Sequence, residues 1–157
     1  MINIYGRTCD LTKKPIISMF RAEASFPVYE TKVWHSDAWD PLKYGRDFDF
    51  SRPFFEQYNE LLNVVPRPAL HVLASSLVNS EYINCATHDK NSYLIFDSDR
   101  DEDCYYGFTI QTSKDVVDGL RVRDGELCYE CTDCTKCYDC RYMKDCDNCS
   151  ESVFLQD

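Results

Sequence analysis

The sequence has no proline after Pro68, no surplus of basic side chains and no long apolar run. Its longest uninterrupted apolar stretch is a few residues, against the ~20 needed for a membrane-spanning helix, so no membrane partner is expected. Seventeen Lys and Arg face 27 Asp and Glu, a net charge of −10. Such a balance repels phosphate backbones and argues against nucleic acid. The first ten residues lack a charged start followed by an apolar stretch, so no secretory leader is expected and a cytoplasmic setting follows, or a virion-associated one if the source is viral. No Gly-x-Ser-x-Gly, His-Glu-x-x-His or phosphate-binding loop occurs, which leaves catalysis without an evident seat. With 14% aromatic and 44% hydrophobic residues, the composition is nonetheless that of a folded chain.

What is present is distributed unevenly. Residues 1–78 hold nine basic and nine acidic side chains, whereas 79–157 hold eight and eighteen; nine of the ten cysteines also fall in the second part. This contrast predicts two units: a head at 1–66, a junction at 67–78 and a second domain at 79–157.

The second domain reads in twelve-residue segments: NSEYINCATHDK from Asn79, NSYLIFDSDRDE from Asn91, DCYYGFTIQTSK from Asp103, DVVDGLRVRDGE from Asp115, LCYECTDCTKCY from Leu127, DCRYMKDCDNCS from Asp139, and ESVFLQD from Glu151. A finer period of three runs inside them. Stepping by three from Ser80 to Leu155 gives 26 positions without a single Lys, Arg, Glu or Tyr, although the same stretch holds twenty such residues elsewhere. That phase marks an interior. Period three is neither helical nor ordinary strand spacing. Collagen shares it but requires glycine at every third place and abundant proline. The pattern instead predicts a mainly β fold: a narrow parallel β-solenoid whose twelve-residue coil has four short sides, each with an inward middle residue and outward flanking ones.

The spacing, the inward residues and the cysteines six apart resemble the narrow β-helix of the beetle antifreeze proteins, over residues 79–157 and in architecture alone. Those proteins display Thr-x-Thr on one flat side. The matching places here read Asn79/Glu81, Asn91/Tyr93, Asp103/Tyr105, Asp115/Val117, Leu127/Tyr129 and Asp139/Arg141, which disfavours ice binding.

A second resemblance rests on the run HSDAWDPLKYGRDFDFSRPFFEQ from His35 to Gln57. It is similar to an uncharacterised group of proteins from environmental bacteria and large DNA viruses, in which a zinc ribbon with two Cys-x-x-Cys knuckles precedes this motif and a cysteine-rich repeat follows. The resemblance covers most of the chain and implies an organisation, not an activity. The knuckle positions here read Cys9-Asp10-Leu11-Thr12 and Glu30-Thr31-Lys32-Val33, so three of four thiolates are missing. A structural zinc needs four good ligands, and the expectation is a degenerate ribbon without its ion.

For the rest of this small α+β head, Lys14 to Phe20 and Phe26 to Val33 alternate as two hairpin strands with Ala22 to Ser25 near the turn. Ser51 can cap a helix with Pro53 as its second residue, with Phe54, Tyr58, Leu61 and Val65 as a buried stripe and Pro66 as its stop. That helix is expected to cap the first coil.

The candidate sites each have a plain alternative. Cys128, Cys131, Cys134, Cys137, Cys140, Cys146 and Cys149 could hold zinc or an iron–sulfur cluster. They share the phase of Val116, Gly119, Val122 and Gly125, so they are read first as core thiols, with the pairs Cys128/Cys134, Cys131/Cys137 and Cys140/Cys146 available if oxidised. No cofactor is expected on the first reading. Asp47 and Asp49 alternate with Phe48 and Phe50 and read as a polar face rather than an acid/base pair. His35, His71 and His88 are scattered. Asp89 and Asp101 are charged exceptions at inward places, read as corner-exposed or bonded to turn amides rather than as a calcium site.

The expected function is therefore non-enzymatic: a structural or protein-interaction module whose partner is another protein or itself, with a metal or redox protein as the alternative. The outward Tyr82, Tyr93, Tyr105, Tyr106, Tyr129 and Tyr142 are the contact candidates, beside Leu94 and Phe154. Asp157 falls partway through a coil, which predicts an open final rung, a homo-oligomer formed through Val153 and Leu155, or a longer parent chain.

Overall fold

The computed structural model describes residues 3–121 without interruption and, beyond them, residues 125, 128, 129, 132, 135–139, 141, 142, 144, 147, 148, 150 and 151. It divides into two units, Met1–Leu70 and His71–Asp157. The described elements are mainly short strands, with two α-helices.

In the first unit β1 (Tyr5–Thr8) pairs antiparallel with β2 (Pro15–Ser18), Tyr5 opposite Ser18 and Thr8 opposite Pro15. The connecting turn is closed by Cys9 N–H to Lys14 O and Lys13 N–H to Cys9 O, both 2.9 Å, with Lys13 left-handed. β3 (Val28–Tyr29) pairs in parallel with β4 (Arg67–Pro68). Asp10 joins the turn to β3: its backbone N–H donates to Val28 O at 2.9 Å and its carboxylate accepts the Val28 N–H at 2.7 Å. The helices are α1 (Thr31–Trp34) and α2 (Phe54–Leu62), separated by a 3-10 turn at Pro41–Tyr44 whose start is capped by Asp40 accepting from the Leu42 N–H. Cys9, Ser18, Val28, Tyr29, Thr31 and Ala69 form the buried centre.

Two sequence expectations for this unit are corrected. The hairpin partner of the Pro15–Ser18 strand is Tyr5–Thr8, not the 26–33 segment, which supplies a two-residue parallel strand and then turns into α1. The α2 stripe is not buried: Phe54 and Tyr58 are exposed, and Leu61 and Val65 only half-buried. Its N-cap is Pro53 without a side-chain cap. Ser51 instead donates to Asp49 Oδ1 through both its N–H and its hydroxyl, at 2.8 and 2.6 Å.

The second unit is built on parallel pairing between residues twelve apart. β5 (Asn84–Thr87) pairs with β6 (Phe96–Asp99), and β7 (Val116–Val117) with β8 (Cys128–Tyr129). Single bridges extend the same offset through Val78, Lys90, Glu102 and Lys114, through Glu81, Tyr93, Tyr105 and Val117, and through Phe96, Phe108 and Leu120. From Lys90 to Phe108 each bridging residue donates its N–H to the carbonyl eleven residues on and accepts from the N–H thirteen on. Tyr93, for example, donates to Cys104 O and accepts from Tyr106, both at 3.0 Å. Before these ladders Val72 bridges Ala86 in parallel at a longer offset, and Val72 and Leu77 pack on the core.

Within 79–121 the backbone repeats a three-residue cycle of bridge, left-handed corner and inward residue. All fifteen corners from Asn79 to Arg121 have φ between 47° and 60°, and none is glycine. Six are Asn or Asp, whose short polar side chains suit that region. Every inward position from Ile83 to Gly119 is buried, as are Gly125 and Cys137 further along the same phase. Glycine is used inside for space: a Cβ on Gly107 would lie 1.9 Å from Ile110 Cδ1.

Candidate interaction surface

Twelve-residue pairing brings outward side chains of consecutive segments into columns. Tyr93 and Tyr105 are neighbours in one such column, and Tyr82 and Tyr106 occupy the adjacent left-handed corners. The rings meet edge to face, Tyr82 on Tyr93 at 5.4 Å and Tyr93 on Tyr106 at 5.9 Å between centroids. Tyr82, Tyr105 and Tyr106 remain 39, 37 and 55% exposed. Glu81 precedes Tyr93 in the bridge column, and Asp118 follows Tyr106 in the corner column. Both carboxylates are exposed and have no ion pair among the described residues. Tyr142 is exposed as well, and Tyr129 lies in β8, paired with Val117. Val153, Leu155 and Phe154 lie outside the described residues.

A polar column runs beside the tyrosines at the next corner. Asn79 Nδ2 donates to Asn91 Oδ1, and Asn91 Nδ2 to Asp103 Oδ1, each at 3.1 Å. Lys90 pairs with Glu102 at 2.6 Å. The lysine holds the Glu102 carboxyl below its ordinary pKa.

The inward polar residues have a different task. Bridging residues use their backbone amides in the ladder, and several inward amides instead find a side chain twelve residues earlier. Ser92 N–H donates to Ser80 Oγ at 3.1 Å, Cys104 N–H to Ser92 Oγ at 3.3 Å, Asp101 N–H to Asp89 Oδ1 at 3.0 Å and Ser113 N–H to Asp101 Oδ1 at 2.9 Å. Asp89 also accepts from Ser98 Oγ at 2.8 Å. This corrects the corner-exposed reading of Asp89 and Asp101, which are 0 and 1% exposed, and retains the amide-bonded one. Burial pushes the Asp101 carboxyl up to about 7, against the Ser113 N–H, with Asp89 and Asp99 adding to the rise. Its Oδ2 has no hydrogen-bond partner among the described residues.

Among the cysteines, Cys104 is fully buried and donates to Glu102 O at 3.4 Å; burial raises its thiol to about 12. Cys9, Cys85 and Cys104 are free thiols. Cys131, Cys134, Cys140, Cys146 and Cys149 lie outside the described residues, and of Cys128 the backbone alone is described. Among the described residues no set of three or more His, Cys, Asp or Glu converges in a geometry that could hold a metal.

In the first unit, Cys9 Sγ accepts from the N–H groups of Thr12 at 3.5 Å and Glu30 at 3.3 Å, so the segments at 9–12 and 30–33 meet at this sulfur. Burial raises the Cys9 pKa, but the hydrogen bonds from Thr12 and from the Thr12 and Glu30 amides outweigh it, leaving the thiol below its usual value. The His35–Gln57 run is chiefly structural at its start: Trp39 donates to Trp34 O at 2.7 Å and packs on Tyr29 and Tyr44. His35 stacks edge-on against Trp34. At its end Phe48, Phe50, Phe54 and Tyr58 form an exposed ring cluster, and Phe48, Phe54 and Tyr58 line a hollow of about 230 Å³ together with Asp47 and Asp49. The two Ser51 hydrogen bonds lower the Asp49 pKa, giving it a turn-forming role.

Sequence reasoning missed one cluster. Asp99 Oδ1 accepts from Thr87 Oγ1 at 2.6 Å and lies 3.2 Å from His88 Nδ1, while Arg100 approaches Oδ2 at 3.4 Å. The twelve-residue offset between Thr87 and Asp99 is the signal that would have found it. In comparisons with known proteins, no family model, no curated protein and no solved structure matches this chain.

Proposed function

We propose that the second unit is a narrow parallel β-solenoid serving as a non-enzymatic protein-interaction module, behind a head that is a degenerate zinc ribbon. The observation that carries the reading is the run of contacting rings from Tyr82 through half-buried Tyr93 to Tyr106, with Tyr82 and Tyr106 exposed, on a strongly acidic unit. Ladders at a twelve-residue offset support the architecture, and the convergence of the Thr12 and Glu30 amides on Cys9 supports the ribbon ancestry of the head. Tyrosine offers a large contact area at small entropic cost together with a polar tip, which suits a protein-binding face. Self-association belongs to the far end of the chain, through Val153 and Leu155.

Replacing both Tyr93 and Tyr105 by Ser tests whether the rings are held for contact or for stability. Cross-strand ring pairs contribute roughly 0.2–1 kcal/mol each, so the doubly substituted chain should melt within a few degrees of the unaltered one. Collapse of the fold would mean that the rings serve the ladder alone. Sedimentation of the purified chain tests the end contact: added charge at Val153 and Leu155 should abolish assembly, and a strict monomer at tens of micromolar would sink it. Stoichiometric zinc or iron, with protected thiols, would overturn the reading in favour of a metal protein.

A further inference from the structure

We infer that the tyrosine strip binds an extended, arginine-bearing segment of a partner protein. The inference rests on the interaction reading above and names the chemistry of the partner. Residues 71–157 carry eight basic and eighteen acidic side chains, so this unit attracts cations. The strip concentrates that preference. Its rings meet edge to face in a row, and carboxylates with no ion pair among the described residues stand in the same columns, Glu81 before Tyr93 and Asp118 after Tyr106.

A guanidinium plane fits between such groups better than an ammonium does. It stacks on an aromatic face and offers a planar fork of donors to a carboxylate, whereas lysine acts as a hydrated point charge. Centroid spacings of 5.4 and 5.9 Å are also close to the ~6.7 Å between alternate side chains of an extended strand. Two arginines separated by one residue can therefore follow the strip, each near a ring. Tyr82 and Tyr106 hold left-handed backbone with φ of 54° and 58°, where Asn or Gly would sit at lower cost.

The test uses the full 157-residue chain and three nine-residue probes that alternate Arg-Ser, Lys-Ser and Glu-Ser, titrated by calorimetry at low and at physiological salt. The Arg-Ser probe should bind about fivefold or more tighter than Lys-Ser, and Glu-Ser should not bind. Substituting Leu at Tyr93 and Tyr106 should bring Arg-Ser down to the Lys-Ser level, while Phe at the same places, which keeps the ring, should retain the preference. Glu81→Gln with Asp118→Asn should weaken both cationic probes. Equal affinity for Arg-Ser and Lys-Ser, or an Arg preference untouched by the Leu variants, would overturn the inference, since either means general attraction to an acidic surface. If the Tyr93→Ser/Tyr105→Ser chain stays folded but no Arg preference exists, the strip remains an interaction face and the guanidinium assignment alone fails.

Discussion

The carboxylate of Asp89 accepts the buried backbone N–H of Asp101, twelve residues further on, at 3.0 Å. Asp101 then does the same for Ser113 at 2.9 Å. A backbone amide turned toward a narrow core has no ladder carbonyl to meet, and an unpaired one would cost about 1–3 kcal/mol. A short side chain with an acceptor oxygen solves this, and it explains why Ser and Asp recur at positions that otherwise hold Ile, Val, Ala, Cys and Gly.

Asp101 makes stability depend on pH. Its carboxyl titrates near 7 in the folded chain and near 3.9 when unfolded, so between those values the folded state holds the extra proton. Stability should thus fall as pH rises from about 4 to about 7, by an amount on the order of a few kcal/mol. Asp101→Asn keeps an acceptor for Ser113 and removes the ionisation. Urea unfolding across that range should show a flatter profile and a higher midpoint at pH 7.5; an unchanged slope would contradict the assignment.

Gly107 should not tolerate a methyl group. An added Cβ would lie 1.9 Å from Ile110 Cδ1 and 3.3 Å from Gly119 O, inside a core with no room to yield. Gly107→Ala is expected to cost about 1–3 kcal/mol. Ile110→Val removes the offending Cδ1, so in a double-mutant cycle the pair should be less destabilising than the sum of the single changes.

At Thr112 the usual expectation for a strand-rich protein reverses. This exposed, β-branched residue has φ of 53°, a region that such side chains populate poorly. Thr112→Asn should raise stability by about 1 kcal/mol, seen as a higher melting temperature. A loss of that size would mean the corner depends on the threonine side chain.

Cys104 should be inert in the native protein. Burial, with added repulsion from Asp101 and Asp89, holds the thiol protonated up to about pH 12, and it has no exposed surface. Iodoacetamide at pH 8 should modify it only as fast as the unit unfolds, measured by mass spectrometry of the Cys104 peptide. Labelling at the rate of a free thiol would refute this.

How far the sequence could be read differs between the two units. The three-residue phase was legible because a narrow interior excludes Lys, Arg, Glu and Tyr, and the positions so marked are those that are buried from Ile83 to Gly119. The left-handed corners were not legible, because residues such as Tyr82, Leu94 and Arg100 carry no preference for positive φ and adopt it under the demands of the ladder. The interior carboxylates were recognised as exceptions but half misread, since a side chain substituting for a backbone acceptor leaves no trace in hydropathy. In the head, alternation in 26–33 suggested a strand, yet Glu30 N–H is drawn to Cys9 Sγ and the chain turns there into α1. The surface tyrosines were identifiable from their spacing, and their ring contacts required coordinates.

The twelve-residue offset also governs which changes of chain length this unit can absorb. Losing one residue between two paired segments would turn every later inward side chain outward and place charged groups against the core. Losing three would keep the interior intact but shift the pairing register of the later segments, so that Tyr105 and Tyr106 would no longer adjoin Tyr93. Only gain or loss of a whole twelve leaves both interior and strip in place. Viable length variants should therefore differ in multiples of twelve, lengthening or shortening the strip without altering its chemistry.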